Sequence, residues 1–213
     1  MRIPGPRRWR GRLVAALAAL AVVAAVVVWY AVDTAIDYRT EQRTLAGASG
    51  AGASAEPVRL DTTLYVPETA TTGRPAPAVL LPHGFGGSKL TVAEAAGELA
   101  GQGYVVLTYS ARGFGRSTGM IHLNHPDYEV ADAQKLLDWL ASRPEVTRDG
   151  AGDPRVAVYG VSYGGALALS LAGRDDRVDA VVPQATWHDL ADAFLPEETG
   201  AGPEQGVFKR SWA

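Results

Sequence analysis

The tightest constraint on this chain is a change of periodicity between residues 155 and 172. Arg155-Val-Ala-Val-Tyr159 is a short apolar, β-branched run of the kind that forms a buried strand, and Ala166-Leu-Ala-Leu-Ser-Leu-Ala172 is a helix-forming run. Only Gly160-Val-Ser-Tyr-Gly-Gly165 separates them. A strand that becomes a helix over so few residues must turn sharply. The glycines two before and two after Ser162 remove Cβ atoms that would strike the strand and the helix. Such a turn holds the serine in a strained backbone conformation with its hydroxyl at the end of the strand. The helix N-terminus behind it favours developing negative charge. G-x-S-x-G alone arises often by chance, and here the flanking strand and helix give it weight.

A second glycine-rich turn precedes it. Ala76-Pro-Ala-Val-Leu-Leu-Pro82 reads as a strand, followed by His83-Gly84-Phe85-Gly86-Gly87. A serine nucleophile needs backbone N–H groups aimed at the oxyanion of a tetrahedral intermediate. One comes from the residue after it, here Tyr163, and the other from a loop after an earlier strand. Glycine lets such a loop approach a substrate closely. His83 reads as a structural loop residue rather than a base. Two nucleotide-binding patterns fail on spacing. Gly86-Gly-Ser-Lys89 has Ser88 where a phosphate loop needs glycine before lysine. Gly113-Phe-Gly115-Arg-Ser-Thr-Gly119 has its third glycine one residue late and no helix opening behind it.

Length and composition set the remaining bounds. A chain of 213 residues, 47% hydrophobic, can bury a real core. A net charge of −3 carries no nucleic-acid footprint, and the clustered basic residues lie at the N-terminus. Without cysteine there are no disulfides or thiolate metal sites, and the four histidines show no ligand spacing, so neither metal nor cofactor is expected.

The N-terminus reads as a separate element. Residues 1–12 hold five arginines and no acid, and residues 13–32 are uncharged and almost wholly apolar. As a helix the latter rise about 30 Å, enough to cross a bilayer's hydrocarbon core. The arginines favour the cytoplasmic side, which predicts a single-pass signal anchor with everything after it outside. The rival is a cleaved signal peptide and a secreted domain, but no small-x-small site follows closely. Residues 33–56 read as a linker, Gly/Ala/Ser-rich from Ala46 to Ala55, and the folded domain is expected over 57–213.

Within that domain, 58–66 alternates as an early antiparallel strand. Thr91-Val-Ala-Glu94 is a capping-box pattern opening a helix with Val92, Ala95, Ala96 and Leu99 on one face, ended by Gly101 and Gly103. Residues 104–108 read as a buried strand and 111–126 as loop. Residues 127–142 read as a helix with Val130, Ala133, Leu137 and Leu140 inward and acids in its first turn, and 178–182 as a last short strand. Alternating strands and helices predict an α/β fold with a mainly parallel sheet covered on both faces.

Taken together, His83-Gly-Phe-Gly-Gly-Ser-Lys89, Tyr109-Ser-Ala-Arg-Gly-Phe-Gly-Arg-Ser-Thr-Gly119, the helix over 127–142 and Gly160-Val-Ser-Tyr-Gly-Gly165 resemble the X-Pro dipeptidyl-peptidase/cocaine-esterase group of serine hydrolases. The resemblance runs from Pro57 to the end of the chain. It implies an α/β-hydrolase fold, Ser162 as nucleophile and Tyr163 N–H as one oxyanion donor. Some relatives use a tyrosine hydroxyl as the second donor. Phe85 stands at the matching position, so its backbone N–H would serve instead. Arg112 and Gly113 match the family's Arg-Gly loop, read here as support for the site. The implied substrate is a small ester or peptide.

The resemblance also implies an acid and a histidine on later strands, beyond a helical cap, and the chain ends at Ala213 before them. Only His188, in Thr186-Trp-His-Asp189, follows Ser162, and it reads as a loop or hinge residue, with Asp189 beside it. Two expectations follow: the N-terminal part of an acyl-transfer hydrolase, or a truncated, non-catalytic scaffold that at most binds a ligand.

Overall fold

The computed structural model describes residues 6–33, 36–49, 57–187 and 189–194. The chain divides into two units, Met1–Ile36 and Asp37–Ala213. The first holds helix α1, Pro6–Asp33. Its described side chains, 13–28, are uncharged and exposed. Among the described residues no helix is long and apolar enough to cross a membrane. The transmembrane span expected over 13–32 is therefore not carried by the structure.

The second unit is an α/β domain around a six-stranded sheet of order β1-β2-β4-β3-β7-β8. The strands are β1 (Tyr38–Ala46), β2 (Arg59–Pro67), β3 (Ala78–Pro82), β4 (Val105–Tyr109), β7 (Val156–Val161) and β8 (Val178–Gln184). A small antiparallel pair, β5 (Arg148–Gly150) and β6 (Asp153–Pro154), lies outside it. β1 and β2 are antiparallel, as are β2 and β4, and the β4-β3-β7-β8 run is parallel. β3 and β4 are buried at every position, as unbroken apolar strands are when helices cover both faces.

Alternation along the strands assigns the faces. Val79, Leu81, Val106 and Tyr65 form one cluster with Ala96 and Ala100 of α2 (Ala93–Gly101). Leu80, Leu107, Leu64 and Val158 lie in the other cluster, with Leu136, Leu137 and Leu140 of α3 (Ala131–Ala141) and Leu167 and Leu171 of α4 (Tyr163–Ala172). A last short helix, α5, covers Leu190–Phe194.

Three expectations need correction. The folded unit begins at Asp37, not near Pro57, because 38–46 of the expected linker form β1, paired along its length with β2 from Tyr38↔Pro67 to Ala46↔Arg59. Its polar sequence suits a sheet edge: Arg39 reaches Glu145 at 2.8 Å and Glu41 meets Arg143 at 3.0 Å. The capping box does not form. Thr91 Oγ1 donates to Ser88 O and accepts from Ser88 N, so it serves the loop before α2, which has no side-chain cap. The helix expected over 127–142 opens as a π-helical turn, Pro126–Val130, before α3, and His125 Nδ1 accepts from Asp127 N at its start.

Candidate active site

At the end of β7 the chain passes directly into α4 through Ser162, whose φ of 56° and ψ of −118° lie outside the regions that L-residues favour. The glycines explain how the turn closes. A Cβ on Gly160 would meet Gly164 C at 2.3 Å, and one on Gly164 would meet Pro82 O at 2.5 Å. One on Gly165 would meet Gly160 O and Thr186 Cβ, both at 2.9 Å. The backbone of Ser162 is then tied on both sides. Its N–H donates to Gln184 O at 2.9 Å, and its carbonyl accepts from Thr186 Oγ1 at 2.8 Å and from Ala166 N at 3.0 Å. Ser162 itself is half-buried.

The loop after β3 lies alongside. A Cβ on Gly84 would come 3.6 Å from Val161 O and 3.9 Å from Ser162 Cβ, so the loop runs against the turn with only glycine between. The Phe85 ring packs edge-on to Tyr163 at 5.6 Å and to Phe114 at 5.3 Å. Ser162 and Tyr163 are thus gathered in one place with Phe85, from two parts of the sequence. His83, 1% exposed, is a clamp: Nδ1 contacts Gly84 O at 2.7 Å and Nε2 accepts from Ala111 N at 3.0 Å. Because Nε2 accepts, Nδ1 carries the proton and donates. Burial lowers the imidazole's pKa, opposed by its bond to Gly84 O. With both nitrogens committed, His83 is structural, as its sequence context predicts.

The loop between β4 and α3 is held from below by buried charge. Arg112, 2% exposed, forms a two-point pair with Asp132, Nε to Oδ2 and Nη2 to Oδ1 both at 2.7 Å. Its guanidinium also lies 5.1 Å from the Tyr128 ring centre and donates to Ala48 O at 3.1 Å. Asp132 in turn accepts from Ala48 N at 2.7 Å, so one pair fastens loop, helix and the segment after β1. The buried carboxylate of Glu129 accepts from His122 N at 2.6 Å and His125 N at 3.1 Å. Asn124, at φ 62°, donates through Nδ2 to Tyr163 O at 2.9 Å and so joins this loop to the start of α4. The Tyr163 hydroxyl points into the same buried region. Burial raises its pKa, and the charge of Glu129 raises it further.

Arg112 is therefore a structural support, as its motif predicts, and Gly113 at φ 77° turns the loop beside Ile121. Lys89 is buried and committed to Asp61 Oδ1 at 2.6 Å and Thr62 O at 3.0 Å, which leaves it no phosphate role. Asp189 caps α5 by accepting from Ala191 N at 2.8 Å. His188 lies outside the described residues. Among the described residues no side chain hydrogen-bonds the Ser162 hydroxyl, and no cluster of metal-ligating side chains is assembled. Thr186, Asn124, Glu129 and Asp132 are the supports that sequence reasoning missed. Glu129 and Asp132 flank the inward position Val130, a placement at which an acid must be buried or turned away.

A profile of the X-Pro dipeptidyl-peptidase (S15) family matches residues 56–210. The chain belongs to that family. This S15 chain is 31% identical over 134 residues to the quorum-quenching protein AidA of Acinetobacter baumannii, covering 62% of itself and 41% of AidA. It is 29% identical over 128 residues to cutinase 1 of Thermobifida cellulosilytica, covering 59% and 44%. It thus spans about four-tenths of the length of these relatives. Among solved structures, the hypothetical protein PA2218 of Pseudomonas aeruginosa superposes with a TM-score of 0.59 at 26% identity, over 75% of this chain and 47% of that one. The α/β hydrolase GrgF of a Penicillium species has the same TM-score at 20% identity, over 76% and 50%, and shows the shared α/β-hydrolase fold.

Proposed function

We propose that the domain is a serine hydrolase that cleaves an ester or amide bond by acyl transfer through Ser162. The observation that carries this reading is the backbone of Ser162, held at positive φ between strand and helix with the Gly84–Phe85 loop against it. A protein stores strain of this kind where the surrounding structure over-determines it, most often at a functional site. In this reading Ser162 Oγ attacks the carbonyl carbon and loses its proton to a histidine. The backbone N–H groups of Tyr163 and Phe85 donate to the oxyanion. Collapse expels the alcohol or amine, which takes up the proton, and water then releases the acid from the acyl-enzyme. His83 is not that base, because both of its ring nitrogens are committed to backbone groups. The family supports a peptide substrate and the cutinase relatives an ester.

The rival is a non-catalytic scaffold that at most binds a ligand. Hydrolysis of p-nitrophenyl butyrate and of Ala-Pro-p-nitroanilide by the full chain and by Ser162→Ala separates the two. The hydrolase reading expects turnover of at least one substrate, reduced roughly 10³-fold or more by the substitution. No turnover of either, or turnover indifferent to Ser162→Ala, supports the scaffold.

The same proposal keeps residues 13–32 as a signal anchor that holds the domain outside the cytoplasm, supported by the five arginines before an uncharged stretch. Retention of the full chain in membrane pellets after alkaline carbonate extraction is the expected result, and full release contradicts it.

A further inference from the structure

We propose that a recess between β1 and the start of β2, separate from the Ser162 turn, binds a soluble phosphate-bearing small molecule. The recess has a volume of about 360 Å³ and is lined by Gln42, Arg43, Thr44, Arg59, Asp61 and Arg116, within the size range of small-molecule sites. The β1–β2 register explains which groups face it. Thr44 lies opposite Asp61 and Ala46 opposite Arg59, so Gln42, Thr44, Arg59 and Asp61 share one face of the sheet. The Arg43 side chain belongs to the other face, where it pairs with Glu41 at 3.1 Å. It contributes to the wall without being a free cation.

Arg116 is brought to this face by a strap. Arg59 N donates to Thr118 Oγ1, Thr118 N to Arg59 O, and Asp61 N to Ser117 Oγ, at 2.9–3.0 Å. The loop that carries Arg116 is thereby stitched to the strand that carries Arg59. The single carboxylate of the recess is already neutralised, since Asp61 receives the buried Lys89 ammonium at 2.6 Å. Neither Arg59 nor Arg116 has a carboxylate partner among the described residues. Arg59 and Arg116 therefore line one concavity with Gln42 and Thr44, residue types whose guanidinium, amide and hydroxyl donors match the oxygens of a phosphate. Exposed arginines such as Arg74 and Arg174 also lack a carboxylate partner among the described residues, but they do not line this recess.

Calorimetric titration of the full chain with inorganic pyrophosphate at low ionic strength tests the site without any turnover, so its failure is distinct from failure of the hydrolase reading. Saturable one-to-one binding is expected. Arg59→Gln and Arg116→Gln should each weaken it roughly tenfold, while Arg74→Gln, the same change of charge outside the recess, leaves it unchanged. Unaltered thermal melting of the free variants shows that they fold. The proposal is overturned by absence of saturable binding, by equal weakening in all three variants, or by binding to phosphatidylglycerol vesicles alone, which would assign the patch to a lipid surface.

Discussion

The turn at Ser162 and the loop over residues 111–130 meet at Tyr163 but are built by opposite means. The turn is fixed by backbone sterics. Three glycines stand where a Cβ would come within 3.0 Å of main-chain atoms, and the bonds of the Ser162 backbone finish it. The loop is fixed by buried charge, through the Arg112–Asp132 pair, the Glu129 carboxylate and the Asn124 amide. A steric device tolerates no added atom and is otherwise indifferent to chemistry. A charged device tolerates changes of shape but no loss of a partner.

The largest effect that contrast predicts falls on the loop. Asp132→Ala strands the Arg112 guanidinium at 2% exposure and should cost about 3–5 kcal/mol, read as a lowered urea midpoint. Arg112→Met combined with Asp132→Leu should recover much of that loss, since it leaves no lone charge behind. If the single substitution is neutral, the pair is not what holds the loop. In the turn, Gly160→Ala places a methyl group 2.3 Å from the main chain of Gly164 and should cost about 3 kcal/mol, although no polar contact is lost. Ser162→Gly acts in the opposite direction. Relief of about 1–3 kcal/mol of strain outweighs the added freedom of the unfolded glycine, for a net gain of about 1 kcal/mol. A destabilised Ser162→Gly would show that the positive φ carries no strain.

The smallest effect is in pH. His83 is buried neutral with its pKa lowered, so the unfolded chain binds the proton more readily. Its contribution to stability is therefore complete above the ordinary histidine pKa of about 6.5 and declines as pH falls below that value. Urea midpoints at pH 7.5 and pH 5 should differ less in His83→Gln than in the parent. An equal difference would mean that the clamp between Gly84 and Ala111 does not titrate.

What was legible in the sequence follows the same division. The elbow announces itself because its constraint is local: the glycines that must lack Cβ sit within five residues of one another. β3, β4 and α4 were legible from their apolar runs, and the mainly parallel sheet from the alternation of strands and helices; the order of the strands was not. The start of the domain was not. Residues 38–46 bury little surface of their own and owe their strand form to pairing with β2, so nothing apolar marks them. Nor were the supports of the site. Asp132 serves Arg112, twenty residues away, and Ala48, eighty-four residues away. Thr186 serves the Ser162 carbonyl from the far end of β8. No sequence window contains both partners, and an acid in a helix's first turn reads first as a dipole partner. Tyr163 was legible from its place directly after Ser162, Phe85 only through family resemblance, and the structure brings their rings together.

The central claim is that this turn presents a reactive serine. Mass-spectrometric mapping of the full chain after treatment with a fluorophosphonate tests it most directly. The expected result is a single adduct on the peptide containing Ser162, lost in Ser162→Ala. No adduct on the folded parent protein, or an adduct that persists at another residue in Ser162→Ala, would contradict it.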